Sequence, residues 1–203
     1  MGLLKANRTV QEEPTQAASA LPLPELDDAD PMQRRRAVRM RANEPDAVAA
    51  LVGLLVKEED NLVRQTAFLE LAALNSDEAA MGVSELLSAA DPALRNGALE
   101  ALSTMPEHAV RLLEPLGQSP DPDVRIFAVL LANELHVEST TDWLMALAGR
   151  EDDANVCSNL AEALGGTGRE DVLPILQSII DKFPQEPFLA FAAETAMQRI
   201  REG

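Results

Sequence analysis

The chain has 203 residues, of which 46% are hydrophobic and 3% aromatic, with one cysteine and no tyrosine. Alanine and leucine dominate, and this composition favours closely packed helices over a sheet rich in β-branched and aromatic residues. The formal net charge of −17 disfavours nucleic acid and anionic membranes as partners, because an acidic surface repels phosphate groups.

The first predicted element is a flexible leader, residues 1–29. Its segment QEEPTQAASALPLPE is rich in proline, alanine and polar residues and shows no sustained helical periodicity. Positive and negative side chains balance over residues 1–45, so the later residues carry the whole negative excess. The start of the chain has no apolar run long enough for a signal peptide or a membrane span, which predicts a cytoplasmic protein.

Residues 30–203 are predicted to form one domain built from repeated units. The pattern Asp-Pro-x-x-Arg-x-x-Ala occurs as DPMQRRRA from Asp30, as DPALRNGA from Asp91 and as DPDVRIFA from Asp121. DNLVRQTA from Asp60 lacks the proline, and the less regular copies DANVCSNL and EPFLAFAA follow in phase further along the chain. A fixed period of about 30 residues predicts a solenoid of stacked units.

Each unit is predicted to contain two helices. Asp or Asn precedes most of the first helices, where its side chain caps free backbone amides, and in four copies proline occupies the first helical position. These first helices, which we call anchor helices, are expected to begin near residues 31, 61, 92, 122, 154 and 187. The second helices are expected near residues 46–57, 78–89, 107–117, 140–149 and 170–182.

The D-P-x-V-R-x-x-A-x-x-x-L core and the turn LGGTGREDVLPIL at residues 164–176 resemble the short HEAT-like repeats of phycobilisome-lyase-like proteins. Tetratricopeptide repeats have a similar length, but this sequence lacks their aromatic markers. The resemblance implies an all-α solenoid of about five to six two-helix repeats whose anchor helices line the concave surface. It also implies a structural ladder in which arginines bind aspartates of neighbouring turns, formed here by Arg34, Arg64, Arg95 and Arg125.

The sequence predicts no catalytic, metal or cofactor site. The two histidines, His108 and His136, form no ligand cluster with Cys157, and a buried role suits this cysteine because its own helix offers no basic residue to lower the pKa of its thiol. The GGTG sequence from Gly165 has neither a preceding strand nor a following lysine, so it is interpreted as a turn and not as a phosphate-binding loop.

The concave surface is the predicted partner-binding site. In the segment SPDPDVRIFAVLLANEL, Ile126 and Leu130 fall outside the stripe that contains Val124, Ala128 and Leu131. Either they form apolar spots in an open groove or they fill the interior of a tightly curved solenoid. The predicted partner-binding residues along this surface are Leu69, Glu100, Ile126, Leu130, Asn133 and Glu162.

These features favour a non-catalytic protein–protein interaction module, such as an adaptor, scaffold or assembly factor. Its expected partner is a protein segment with apolar anchors and basic flanks, matched to the apolar spots and acidic border of the groove. The alternative, which rests on the resemblance alone, is a subunit of a bilin-lyase-like enzyme acting on a tetrapyrrole-carrying protein.

Overall fold

The computed structural model describes residues 24–135 and 137–202, which contain helices, turns and no strand. The α-helices in chain order are α1 (Pro31–Arg41), α2 (Ala47–Leu55), α3 (Asn61–Leu74), α4 (Asp77–Glu85), α5 (Pro92–Ser103), α6 (Pro106–Ala109), α7 (Leu113–Gly117), α8 (Pro122–Leu135), α9 (Glu138–Arg150), α10 (Ala154–Gly165), α11 (Leu173–Lys182) and α12 (Pro187–Glu202). Three short 3₁₀ turns cover Leu86–Ser88, Val110–Leu112 and Glu170–Val172. The predicted all-α solenoid is confirmed, and its anchor helices are α1, α3, α5, α8, α10 and α12.

The anchor helices begin where the sequence pattern places them, and in five of the six an aspartate caps the free amides. The side chain of Asp30 accepts a hydrogen bond from the backbone N–H of Met32 at 2.9 Å, and Asp60, Asp91 and Asp153 do the same for the helices that follow them. Such a cap stabilises a helix by about 1 kcal/mol. The recurring aspartate therefore has a local structural role in the units that contain it.

Stacking follows from the apolar stripe of each helix. Every anchor helix packs against the next one along the chain, and the buried side chains form one cluster that runs from Val38 to Ile200. The last two anchor helices approach each other at the backbone, where a Cβ added to Gly165 would lie 2.5 Å from the Cβ and 2.9 Å from the Cα of Ala196. Close backbone packing therefore joins the last two units, which lie beyond the last arginine of the ladder.

Helix α8 contains the unusually apolar segment, and other parts of the same chain cover most of its surface. It packs against α5, α7, α9 and α10, and its buried side chains include Val124, Val129 and Leu131. Ile126 is half-buried and packs against the core cluster, as the filled-interior alternative requires.

The predicted boundary between leader and solenoid, at residue 29, stays a prediction, and the structure describes only the last residues of the leader, from residue 24 on. Residues 1–23 lie outside the described part of the chain, so the predicted flexibility there stays a prediction. Residues 24–29 belong to the folded body, because Leu26 packs against the core and the carbonyl of Asp28 accepts a hydrogen bond from Arg34. Their turn conformation, without a capped helix, explains why helical periodicity did not identify them.

Candidate functional site

The four arginines of the ladder share one contact, to a carbonyl in the loop before their own helix. The acceptor is always the backbone carbonyl of the residue six positions earlier. Arg34 Nη1 lies 2.8 Å from the carbonyl oxygen of Asp28, and Arg125 Nη1 lies 2.9 Å from the carbonyl oxygen of Ser119. Arg64 donates from Nε to the backbone carbonyl of Glu58, and Arg95 donates from Nη1 to the backbone carbonyl of Ala89. Each guanidinium thus fixes the loop that precedes its own helix.

Toward the next unit, two of the arginines bind both oxygens of a glutamate carboxylate through one edge of the guanidinium. Arg34 donates from Nε and Nη2 to Glu58 at 2.7 and 2.8 Å, and Arg125 donates in the same way to Glu151 at 2.8 and 2.9 Å. At Arg64 the acceptor is Asp91 of the following unit, at 2.7 Å. The expectation of an aspartate acceptor, which Arg64 meets, is therefore wrong at Arg34 and Arg125.

The glutamates take this position because each stands two residues before the capping aspartate. Glu58 also accepts hydrogen bonds from the backbone N–H groups of the next two residues, at 3.0 and 2.8 Å. The hydrogen bond from Arg34 lowers the pKa of Glu58 although burial opposes ionisation. Burial likewise opposes the ionisation of Glu151, but the hydrogen bond from Arg125 lowers the pKa of this carboxyl all the same.

Arg95 is the exception in the ladder, and the expected aspartate partner is absent there too. Its Nη1 binds the carbonyls of Ala89 and Ala90 at 2.7 and 3.0 Å, while its Nε is buried without a hydrogen-bond acceptor. The guanidinium carbon lies 5.9 Å from the centre of the Phe127 ring. The position that corresponds to Glu58 and Glu151 is Ser119, which carries a short hydroxyl side chain and no carboxylate.

A cleft of about 420 Å³ opens between the anchor helices α3 and α5. Its lining includes the side chain of Phe68, which is 8% exposed, beside Ala72 and Ala101. A Cβ added to Gly97 would lie 2.4 Å from this ring, so the glycine provides the space that the phenylalanine occupies. The apolar lining therefore depends on one aromatic residue and one glycine on facing helices.

Two exposed leucines and several polar side chains complete the lining of the cleft. Leu62 and Leu69 of α3 are 55% and 63% exposed, which is unusual for large apolar side chains that lie beside a concavity. The acidic member of the lining is Glu100 of α5, an exposed residue. The other polar residues of the lining are Asn61, Arg64, Gln65, Asn96 and Thr104.

The structure brings together two of the six predicted partner-binding residues, Leu69 and Glu100, which line the same cleft. Ile126 and Leu130 lie on α8 and are half-buried, and Glu162 is exposed on α10. Asn133 lines a separate depression of about 350 Å³ beside the turn that contains Gly166. The predicted residues therefore extend along several anchor helices and do not converge on one point.

Sequence reasoning missed Leu62 and Phe68 as parts of this surface. Leu62 occupies the second position of its anchor helix, where Met32 and Phe188 stand in other units, and all three are more than half exposed. An apolar residue at this position in three units was a signal available in the sequence. No such pattern in the sequence marks Phe68, because its place in the lining depends on Gly97 of the facing helix.

The thiol and the described histidine lie outside the cleft. Cys157 is buried, and burial together with the charge of Glu151 raises the pKa of its thiol to about 11. His108 lies 2.7 Å from the carboxylate of Asp77, and His136 lies outside the described residues. Over residues 24–135 and 137–202, no group of three or more His, Cys, Asp or Glu side chains is arranged to hold a metal ion.

Comparison with known proteins gives a matching family model and a similar curated protein. A family model described as HEAT repeats matches residues 19–103 and 109–198. An uncharacterized phycocyanin operon protein Z from Pseudanabaena tenuis (strain PCC 7409) is 26% identical over 155 residues, which cover 72% of this chain and 76% of that protein.

No helix in the described part of the chain is both long and apolar enough to span a bilayer.

Two solved structures are similar to this chain. The crystal structure of an engineered protein is 18% identical with a TM-score of 0.38, and the match covers 87% of this chain and 94% of that one. The complex of CpcE and CpcF of phycocyanin lyase from Nostoc sp. PCC7120 is 17% identical with a TM-score of 0.34, and the match covers 96% of this chain and 99% of that one.

Proposed function

The chain belongs to the HEAT-repeat family, and we propose that it is a non-catalytic protein–protein interaction module that binds a partner segment along its anchor helices. The observation that carries this proposal is the cleft between α3 and α5, flanked by the exposed Leu62 and Leu69. Apolar side chains left in water beside a concavity are typical of interaction sites, because covering them is energetically favourable. A burial-raised pKa at Cys157 also argues against nucleophilic catalysis by the chain's one thiol.

The chemistry of the cleft defines the segment that would fit it. Its apolar lining favours aliphatic or aromatic anchors, which one face of a short helix presents three or four residues apart. Glu100 at this cleft has no ion-pair partner among the described residues, and Glu162 lies exposed two anchor helices further along. Together with the net charge of −17, these carboxylates favour basic residues beside the anchors and speed the encounter with a basic partner.

The proposed surface extends from the cleft toward Ile126, Leu130 and Asn133. Ile126 packs against the core, so replacing it by serine removes an apolar contact within the protein as well as any contact with a partner. Leu62 and Leu69 give a cleaner test because more than half of each side chain is already exposed.

The test is the selection of peptides from a random display library on the full chain. We expect the enriched peptides to carry apolar anchors next to lysine or arginine, and the double variant Leu62→Ser/Leu69→Ser to bind them at least tenfold more weakly. The matched control is Met81→Ser, since Met81 is 58% exposed on α4, a second helix. Equal loss of binding in the control, or enrichment of acidic peptides, would contradict the proposal.

A second candidate function is a bilin-lyase-like subunit that acts on a tetrapyrrole-carrying protein. It is favoured by one observation, the 26% identity to a protein named for the phycocyanin operon. The buried thiol of Cys157 makes covalent attachment of the pigment to this chain unfavourable, so the candidate role is to hold the carrier protein or the free pigment. Mixing the chain with phycocyanobilin and an apo-phycocyanin subunit tests it, and an unchanged visible spectrum together with no complex would exclude this role.

A further inference from the structure

The guanidinium of Arg95 is oriented like those of Arg34 and Arg125, but its Nε lacks the acceptor that the other two bind. In all three, Nη1 donates to the carbonyls of the residues six and five positions earlier, at 2.7 and 3.0 Å for Arg95. The Nε–Nη2 edge of Arg34 and of Arg125 then meets a glutamate. Within residues 24–135 and 137–202, the Nε of Arg95 is the one buried side-chain nitrogen or oxygen without a hydrogen-bond partner. This edge is therefore oriented to bind an anionic group that the unmodified chain does not supply.

Ser119 occupies the sequence position of the missing carboxylate. It follows Arg95 by 24 residues, the same separation as between Arg34 and Glu58. Its side chain is partly exposed in the loop between α7 and α8. It is also the only serine or threonine of the sequence that is followed directly by proline, the pattern that proline-directed serine kinases recognise. A reactive hydroxyl thus stands where two other units carry a negative charge.

We propose that Ser119 is a phosphorylation site, and that the phosphate on it gives Arg95 the acceptor that a glutamate gives in other units. In this step the Oγ of Ser119 attacks the γ-phosphorus of a nucleoside triphosphate bound to a protein kinase. A new O–P bond forms while the bond from this phosphorus to the β-phosphate oxygen breaks. The nucleoside diphosphate leaves, and the hydroxyl proton passes to a base of the kinase.

The phosphate has the reach and the charge that this position requires. The same number of bonds separates the Cα from a terminal oxygen in phosphoserine and in glutamate. A phosphoserine carries about −1.5 to −2 charges at pH 7, and arginine binds phosphate through strong, often bidentate hydrogen bonds. A depression of about 340 Å³ beside Ser119 opens the loop to an enzyme. Its two carboxylates already have cationic partners, since Glu151 binds Arg125 and Asp152 binds Lys182.

Incorporation of phosphoserine at position 119 of the full chain during translation tests the acceptor role. We expect Tm to rise by at least about 3 °C, because a buried donor gains a charged acceptor. Arg95→Ala should abolish this rise, and Arg95→Lys should keep less than half of it, because lysine lacks the planar, bidentate donors of arginine. Phosphoserine at position 178 is the matched control and should give no rise, since Ser178 is exposed on α11.

A proline-directed serine kinase with ATP tests the access to the site. We expect mass spectrometry to find one phosphate on the folded full chain, at Ser119, and none on Ser119→Ala. The proposal is overturned if the kinase modifies a free peptide of residues 115–125 but not the full chain. A Tm that the phosphate leaves unchanged or lowers would also overturn it, as would a rise that survives Arg95→Ala. Arg95→Lys carries the comparison if circular dichroism shows that Arg95→Ala is unfolded. None of these results depends on peptide binding at the α3–α5 cleft.

Discussion

Ser119→Glu is expected to stabilise the protein by giving Arg95 the carboxylate that it lacks. In the units where a glutamate holds this position, its carboxylate accepts two hydrogen bonds from the arginine and two from backbone N–H groups. The Ser119 hydroxyl already accepts the N–H of Asp121 at 3.2 Å, which is one of these backbone contacts. The substitution therefore keeps an existing contact and brings an acceptor toward the buried Nε of Arg95.

The size of the expected stabilisation follows from the buried Nε–H of Arg95, which has no hydrogen-bond acceptor in the unmodified chain. A buried donor without a partner costs about 1–3 kcal/mol, and a hydrogen bond to a charged group contributes about 1.5–3 kcal/mol. The desolvation of the new carboxylate and the ordering of its side chain offset part of this gain. We expect the free energy of unfolding to rise by about 1–2 kcal/mol, which for a chain of this size raises Tm by roughly 3–6 °C.

Chemical denaturation and thermal melting of four proteins give the assay: the unmodified chain, Ser119→Glu, Arg95→Ala and the double variant. We expect a coupling energy of at least about 1 kcal/mol between the two positions, because the new carboxylate acts through Arg95. Ser119→Gln is the neutral control and should recover less than half of the gain. An unchanged or lower Tm for Ser119→Glu would refute the argument and would mean that the Phe127 ring already satisfies the guanidinium.

Two further predictions concern the packing and the acid stability of the solenoid. Gly165→Ala should lower Tm clearly more than Gly149→Ala, because its new methyl group would lie 2.9 Å from the Cα of Ala196, whereas the control position is open. The lowered pKa of Glu58 contributes stability above the pKa of the unfolded carboxyl, about 4.3, and this contribution is lost as the pH falls through the folded-state pKa. Glu58→Gln should therefore lower stability at pH 7 and flatten its decline below pH 4.5, as measured by urea denaturation across this range.

The starts of the anchor helices could be predicted from the sequence because the decisive interactions are local. An aspartate cap and a proline at the first helical position act within a few residues, whatever the rest of the fold does. The second helix predicted at residues 107–117 is instead split into α6, a 3₁₀ turn and α7. Pro115 lacks an N–H and its ring would clash with the carbonyl of Arg111, which lies inside that 3₁₀ turn.

The candidate site was less predictable because its features depend on pairs of residues far apart in sequence. Leu69 and Glu100 were placed by repeat phase, and repeat phase was sufficient to bring them to one cleft. The depth of the cleft depends on Phe68 meeting Gly97, and the state of Arg95 depends on which residue stands at position 119. Repeat periodicity gives the register of such positions but not the side chains that meet there.

The position of the cleft agrees with the pattern of arginine contacts along the solenoid. Bidentate glutamate contacts join α1 to the loop before α3 and α8 to the loop before α10, and these pairs of anchor helices pack more extensively than α3 with α5 or α5 with α8. Between α3 and α5, Arg64 binds an aspartate instead of a glutamate, and between α5 and α8, Arg95 binds no carboxylate. The cleft therefore lies in the part of the stack where neighbouring anchor helices pack least extensively, and a partner segment bound there would add contacts between them. Ser119→Glu is expected to strengthen the contact between α5 and α8, which lies next to the cleft. The peptide affinity of this variant therefore measures whether binding depends on the weak packing between these anchor helices.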